Sequence, residues 1–225
     1  MANSTPFHSG ELQVQARLGV RERIGSWARK VVRPFMPDEH RAFYEGLPFI
    51  VAAARDGAGD SWVTLLSGMP GFISSPGDRQ LQIDAKPVAG DPLEHSLVAG
   101  ADVGLLGLEF ASRRRNRVNG RIGADSATLV LDVEQSFGNC PQHIHPRDWE
   151  MVADCDGLTT KATRSARLTA KQINWIAAAD TFFIASGHRG EGEAEYFGMD
   201  ASHRGGEPGF VKVANGASLS WPDYA

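Results

Sequence analysis

Cysteine is scarce in this chain of 225 residues: Cys140 and Cys155 are the two it has. Two thiols cannot build the disulfide framework on which small secreted domains depend, so a reducing, cytoplasmic setting is the expectation. Long apolar runs are missing as well. No stretch approaches the roughly 20 apolar residues that cross a bilayer, so no membrane association is expected. The start, with Ser9-Gly10-Glu11 and no apolar run behind a basic segment, does not read as a secretory signal. Positive charge is not in excess: 23 Lys and Arg against 27 Asp and Glu give a net charge of −4. That argues against a general polyanion binder, and no nucleic-acid partner is expected. A glycine-rich phosphate loop of the Walker or dinucleotide type is also lacking, because no helix follows the Gly187–Gly192 turn. Cys140 stands near His143 and His145, but no second cluster has ligand spacing, so no metal site is expected.

What is present is a unit that starts twice. Phe49-Ile50-Val51-Ala52 leads through a Gly-rich turn to Thr64-Leu65-Leu66-Ser67-Gly68 and on to Pro70-Gly71-Phe72. Phe183-Ile184-Ala185-Ser186 leads through another to Ser202-His203-Arg204-Gly205-Gly206 and Pro208-Gly209-Phe210. Leu81 and Leu219 then fall at the same offset after polar turns. The first copy runs on for about a hundred residues; the second reaches Ala225. The implied organisation is a lead segment over residues 1–36, a complete first unit over 37–150, a connection over 151–167 and a partial repeat over 168–225.

Periodicity places the elements. Val20, Ile24, Trp27 and Val31 recur at helical spacing, giving a short helix over Val20–Val31. Pro37-Asp38-Glu39 opens a second helix, with acidic residues at the positive end of the dipole, that carries His40, Phe43 and Tyr44 to Gly46. Thr169 caps its counterpart in the repeat, with Ile173, Trp175 and Ile176 expected mostly buried. Pro48–Ala54, Ser61–Leu66, Gly71–Ser74, Gln80–Ala85, Val103–Phe110, Arg115–Ile122 and Ala127–Glu134 read as strands between Gly, Pro, Asp and Asn breaks. Pro92–Ala99 reads as a short crossing helix, residues 141–168 as a helix–loop connection, and the repeat as one helix with roughly three strands. Short strands at this spacing predict a mainly β, small antiparallel barrel and no βαβ sheet. Three strands cannot close a second barrel, so free edges make a homodimer the expectation.

Two segments carry chemistry. If the run Arg113 to Arg121 is a strand, Arg113, Arg115, Arg117, Asn119 and Arg121 share one face. Guanidinium groups that close repel unless anions neutralise them. A phosphate would do so in fork geometry, and a salt ladder with Asp132 and Glu134 would do so equally. In the second segment Ser202-His203-Arg204 replaces the Thr64-Leu65-Leu66 of the first copy. A core position does not acquire His and Arg without partners, so polar specialisation on a shared scaffold reads as a ligand site; the alternative is an exposed edge. Cys140 reads as a small buried hydrophobe, with Asn139 capping the turn that follows.

Several of these stretches resemble one family. PFH followed by GE (Pro6 to Glu11), MPDEHRAF (Met36 to Phe43), LPFIVAAARD, SGMPGFISSP, RRRNRVNGRI and SFGNCPQHI resemble the pyridoxamine 5'-phosphate oxidase-like flavin-binding proteins. The likeness is greatest to the bacterial subgroup with two split barrels in one chain, and it runs from about Pro6 to Tyr224. It implies an antiparallel FMN-binding split barrel plus an incomplete second one, because the second copy here is shorter than the subgroup's. It further implies FMN between the barrels, held by Arg115, Arg117 and Asn119 from the first copy and by Ser202, His203, Arg204 and Gly205 from the second. Relatives on this fold bind the deazaflavin F420 or haem, for which His203 or His143 would be the axial ligand. The implied activity is a flavin-dependent oxidoreductase of unknown substrate, with a flavin carrier or electron-transfer subunit as the alternative. Its partner would be a small-molecule redox substrate or a reductase. No residue is identified as catalytic, and the substrate residues of true pyridoxamine phosphate oxidases are not matched.

Overall fold

A computed structural model describes residues 6–124, 128–150 and 162–223. The lead segment folds into two helices, α1 (Ser9–Arg17) and α2 (Arg21–Val31). Only α2 was expected; α1 is started by His8, whose ring accepts from the Gly10 N–H while Glu11 reaches back to the His8 N–H. That reciprocal arrangement is a capping box with His in place of Ser or Thr, which hides it from a search for the usual capping residues. Helix α3 (Asp38–Glu45) buries His40, Phe43 and Tyr44 as its spacing requires.

Strands β1 (Phe49–Arg55), β2 (Ser61–Ser67), β3 (Ile73–Gly77), β4 (Gln80–Ile83), β5 (Asp102–Glu109), β6 (Arg114–Ile122) and β7 (Leu129–Gly138) form one sheet in the order β2-β1-β5-β6-β7-β4-β3. Every pairing in it is antiparallel. All seven strands send side chains into a single cluster that includes Ile50, Leu66, Ile73, Leu81, Leu105, Val118 and Leu131. A sheet whose members all point at one centre is rolled up, and since β2 and β3 are not paired to each other the roll stays open along one seam. The fold is mainly β, as expected.

Two hairpins follow α4 (Ala170–Ala178): β8 (Thr181–His188) with β9 (Gly198–Gly205), and β10 (Lys212–Ala214) with β11 (Ser218–Ser220). The repeat region thus holds four strands among the described residues, where about three were expected. The β8–β9 hairpin lies on the outer face of the sheet. There Val51, Ala53 and Leu106 meet Ala201, with Phe183 and Ala185 packed alongside. This explains why β1 and β5 are almost unbroken apolar runs: they are covered on both faces. Gly104 on β5 lets the hairpin close in, since a Cβ there would stand 2.5 Å from the Met199 carbonyl and 2.6 Å from the Asp200 Cα.

Some expectations fail for local reasons. Pro92–Ala99 is a series of turns and not a helix. The Asp91 carboxylate takes the Leu93 N–H and the Thr64 hydroxyl, and Glu94 takes the Gly90 N–H. Side chains that capture backbone donors compete with so short a helix, whose nucleation is costly. On α4 no residue is fully buried: Ile173 and Ile176 are half-buried, and Trp175 is 78% exposed. Residues 141–150 and 162–168 contain no helix, and the rest of that connection, Cys155 included, lies outside the described residues, as does Ala127. Cys140 is exposed, not buried. Asn139 caps nothing: its N–H donates to the Arg115 carbonyl and its buried Oδ1 has no partner.

Candidate functional site

β6 alternates strictly. Asn116, Val118, Gly120 and Ile122 face the core, and Arg115, Arg117, Asn119 and Arg121 face outward, as period two requires. Arg113 does not join them, because it sits before the strand with φ +57°. The outward face is not open to solvent; β9 crosses it, and the two strands exchange polar contacts. Arg117 donates from one terminal nitrogen to Asp200 Oδ2 at 2.6 Å and from the other to Ser202 Oγ at 2.8 Å. Asn119 Nδ2 donates to Asp200 Oδ1 at 3.3 Å. Arg115 reaches His203 Nδ1 at 3.2 Å. The expected ladder forms only in part: Arg121 lies 3.5 Å from Glu134 but also bonds Asp102 and Glu193, while Asp132 accepts from Gln80.

The Arg115 contact fixes a tautomer. Guanidinium can only donate, so His203 Nδ1 accepts and the ring proton sits on Nε2. His203 is 2% exposed, and burial together with the Arg115 and Arg204 charges pushes its pKa down to about 4, so the ring is neutral at pH 7. Its Nε2–H is then a buried donor with no acceptor. The Nε–H groups of Arg115 and Arg117 are buried and unpartnered too, and so are the side-chain oxygens of Asn119 and Asn139. Burial and the neighbouring Arg117 hold Arg115 below the ordinary arginine range. Burial lifts the Asp200 carboxyl above the usual carboxylate range, with Arg117 and Asn119 pulling it back.

Beside this cluster lies a cavity of about 600 Å³. Arg117, Asn119, Asn139 and Asp200 line its polar side, and Phe7, Trp27, Phe137, Tyr196 and Phe197 supply aromatic surface. The lead segment closes it: His8 stacks on His188 with ring centroids 4.5 Å apart, and His188 in turn packs against Tyr196 and Phe197.

Of the residues expected at the site, Arg115, Arg117, Asn119, Ser202 and His203 come together. Arg204 is half-buried next to them and donates to the His203 carbonyl. Gly205 has a different place: a Cβ there would run into the His143 carbonyl, so its role is close packing of the 140s segment against β9. Asp200 was missed, since one carboxylate in a strand gives no signal until its partner strand is known. The cavity aromatics were missed because they come from three separate segments; the PFH motif at Pro6 to His8 was noticed, but without a role.

No family model and no curated protein matches the chain. Among solved structures, it is similar to a Lactobacillus delbrueckii protein provisionally assigned as a pyridoxamine 5'-phosphate oxidase. That likeness has 15% identity and a TM-score of 0.35, covering 47% of this chain and 95% of that one. It is also similar to a variant of HupZ from group A Streptococcus, at 10% identity and a TM-score of 0.37, covering 46% of this chain and 99% of that one.

Proposed function

We propose that the chain is an FMN-binding flavoprotein acting as a flavin-dependent oxidoreductase, its cofactor held where β6 and β9 face each other. One observation carries this reading: Arg115 and His203, in contact at 3.2 Å, each keep a buried N–H donor, on Nε and Nε2, without an acceptor. Leaving such groups unpaired costs about 1–3 kcal/mol each, more on a charge, and a phosphate ester supplies the acceptors and the counter-charge together. Arg115 and Arg204 have no carboxylate within ion-pair distance among the described residues, whereas Arg117 is already matched by Asp200. The phosphate is therefore assigned to Arg115, Arg204 and His203, and Arg117 to locking β9 onto β6 through Asp200 and Ser202.

The remaining fit follows donor by acceptor. The free oxygens of Asn119 and Asn139 suit hydroxyl groups of a ribityl chain. The aromatic surface of the adjoining cavity suits a flat conjugated ring. Bound flavin would supply the electron transfer, and the protein its placement and electrostatics. We also read β8–β11 as a shorter copy of β1–β4. Lys212 pairs with Ser220 as Ser74 pairs with Gln82, and Gly206 lies against the Phe210 ring as Gly68 lies against that of Phe72.

The test is a spectrum and an FMN titration of the purified chain. FMN is expected to bind, and Arg115→Ala with His203→Ala to weaken it by tenfold or more, about 1.4 kcal/mol. A colourless protein that ignores added FMN would sink the reading, and a Soret band would replace it with haem. Reduction of bound flavin by NADH or NADPH then separates enzyme from carrier.

A further inference from the structure

β7 anchors two arginines from other segments. Arg33 exchanges backbone hydrogen bonds with Ser136, at 3.1 and 2.7 Å, and the Arg79 carbonyl accepts from the Val133 N–H at 2.9 Å. Val133 and Ser136 lie on β7 with a register shift at Glu134 between them. The stems of Arg33 and Arg79 therefore start from fixed points on either side of Glu134 and Gln135. With Arg29, in the last turn of α2, they line a second cavity of about 840 Å³, which Arg121, Glu193 and Glu195 also line.

None of these three arginines has a carboxylate within ion-pair distance among the described residues. The acidic groups nearby are committed elsewhere. Glu193 bonds Arg121 at 2.5 Å and lies 3.8 Å from Arg189, Glu134 lies 3.5 Å from Arg121, and Asp102 bonds both of those arginines. That network is close to self-neutral: two cations meet three carboxylates, one of which, Glu134, burial lifts above its usual range. Among the described carboxylates that line the cavity, Glu195 alone stands outside that network. The negative end of α2 accounts in part for Arg29. Arg33 and Arg79 have no such reason, and like charges gathered on a concave surface focus a positive potential that a bound anion relieves. The arginine fork takes phosphate oxygens two at a time.

This cavity shares Pro6, Ala28, Val32, Glu134 and Gln135 with the first one. We propose that it binds the diphosphate of a nucleotide through Arg29, Arg33 and Arg79, with the rest of that molecule directed across the shared wall toward the first cavity. The diphosphate site stands on the arginines alone. Naming its ligand as the electron donor rests on the flavin reading.

The experiment is calorimetric titration of ADP into the full chain, with and without saturating FMN. ADP is expected to bind more tightly than about 1 mM in both cases. Replacing both Arg33→Gln and Arg79→Gln should weaken ADP by about tenfold or more and leave FMN affinity within about twofold. Both residues pair with β7 through backbone atoms, so the fold is expected to survive, which a thermal melt checks. The proposal is overturned if millimolar ADP does not bind, if the double variant binds ADP as the parent does, or if FMN competes ADP away. Binding of ADP without any binding of FMN would uphold the diphosphate site and fell the flavin reading. Binding of FMN without ADP would do the reverse.

Discussion

His203 shows how one contact can set the chemistry of a side chain. Arg115 fixes its tautomer, and burial with two neighbouring guanidinium groups keeps it neutral. Its pKa of about 4 in the fold lies below the ordinary 6.5, so between those values the unfolded chain binds the extra proton. The stability associated with neutral His203 is therefore complete above pH 6.5 and is lost as the pH falls toward 4, by an amount on the order of 3 kcal/mol. Asp200 works in the opposite sense, because its lifted pKa favours the protonated carboxyl in the fold. Urea unfolding at pH 7, 5.5 and 4.5 should show a drop in the parent chain that His203→Gln largely removes; equal drops in both would refute the assignment. The sequence exposed Arg115, Arg117 and Asn119 through period two, and His203 through its contrast with the Leu65-Leu66 pair. It could not expose Asp200 or the free Nε2–H, which depend on which strand crosses which.

At the scale of elements, the site depends on how closely β9 can approach β5 and β6. Gly104 is the permissive position, with β9 backbone about where its Cβ would be. Gly104→Ala should cost roughly 1–3 kcal/mol in chemical denaturation, an overpacking cost, and should weaken FMN binding because the β6–β9 contacts are pushed apart. Retained stability with retained binding would show that the hairpin is not held this way. Strand periodicity was legible nearly throughout the sheet because each strand alternates or is buried on both sides, and both patterns survive in the residue order. The turns over Pro92–Ala99 were not, since Asp91 and Glu94 redirect backbone donors that the sequence pattern assigns to a helix. Trp175 on α4 has the spacing of a buried residue and is exposed all the same; burial needs a neighbour, and spacing does not supply one.

For the whole molecule, the proposed cofactor would join the rolled sheet, the β8–β9 hairpin and the lead helices, so its binding should stabilise all three together. FMN at a hundred times its Kd should add about 2.7 kcal/mol, a rise of roughly 5–10 °C in Tm for a chain of this size. Thermal melts with and without FMN measure it, and the rise should disappear in the Arg115→Ala, His203→Ala double variant. The sequence by itself determined the mainly β class, the positions of most strands, the helix start at Pro37, the cap at Thr169, and the face on which the β6 arginines lie. These follow from local rules, namely side-chain alternation, breakers and capping, which act between neighbours in the chain. Only the tertiary structure decided that β9 covers the arginine face, that Asp200 neutralises Arg117 while Arg115 stays unmatched, and that the lead segment closes the cavity over His188. Each of those joins residues some 80 to 180 positions apart, and a hydrogen bond or an ion pair is set by distance in space, which residue order does not encode.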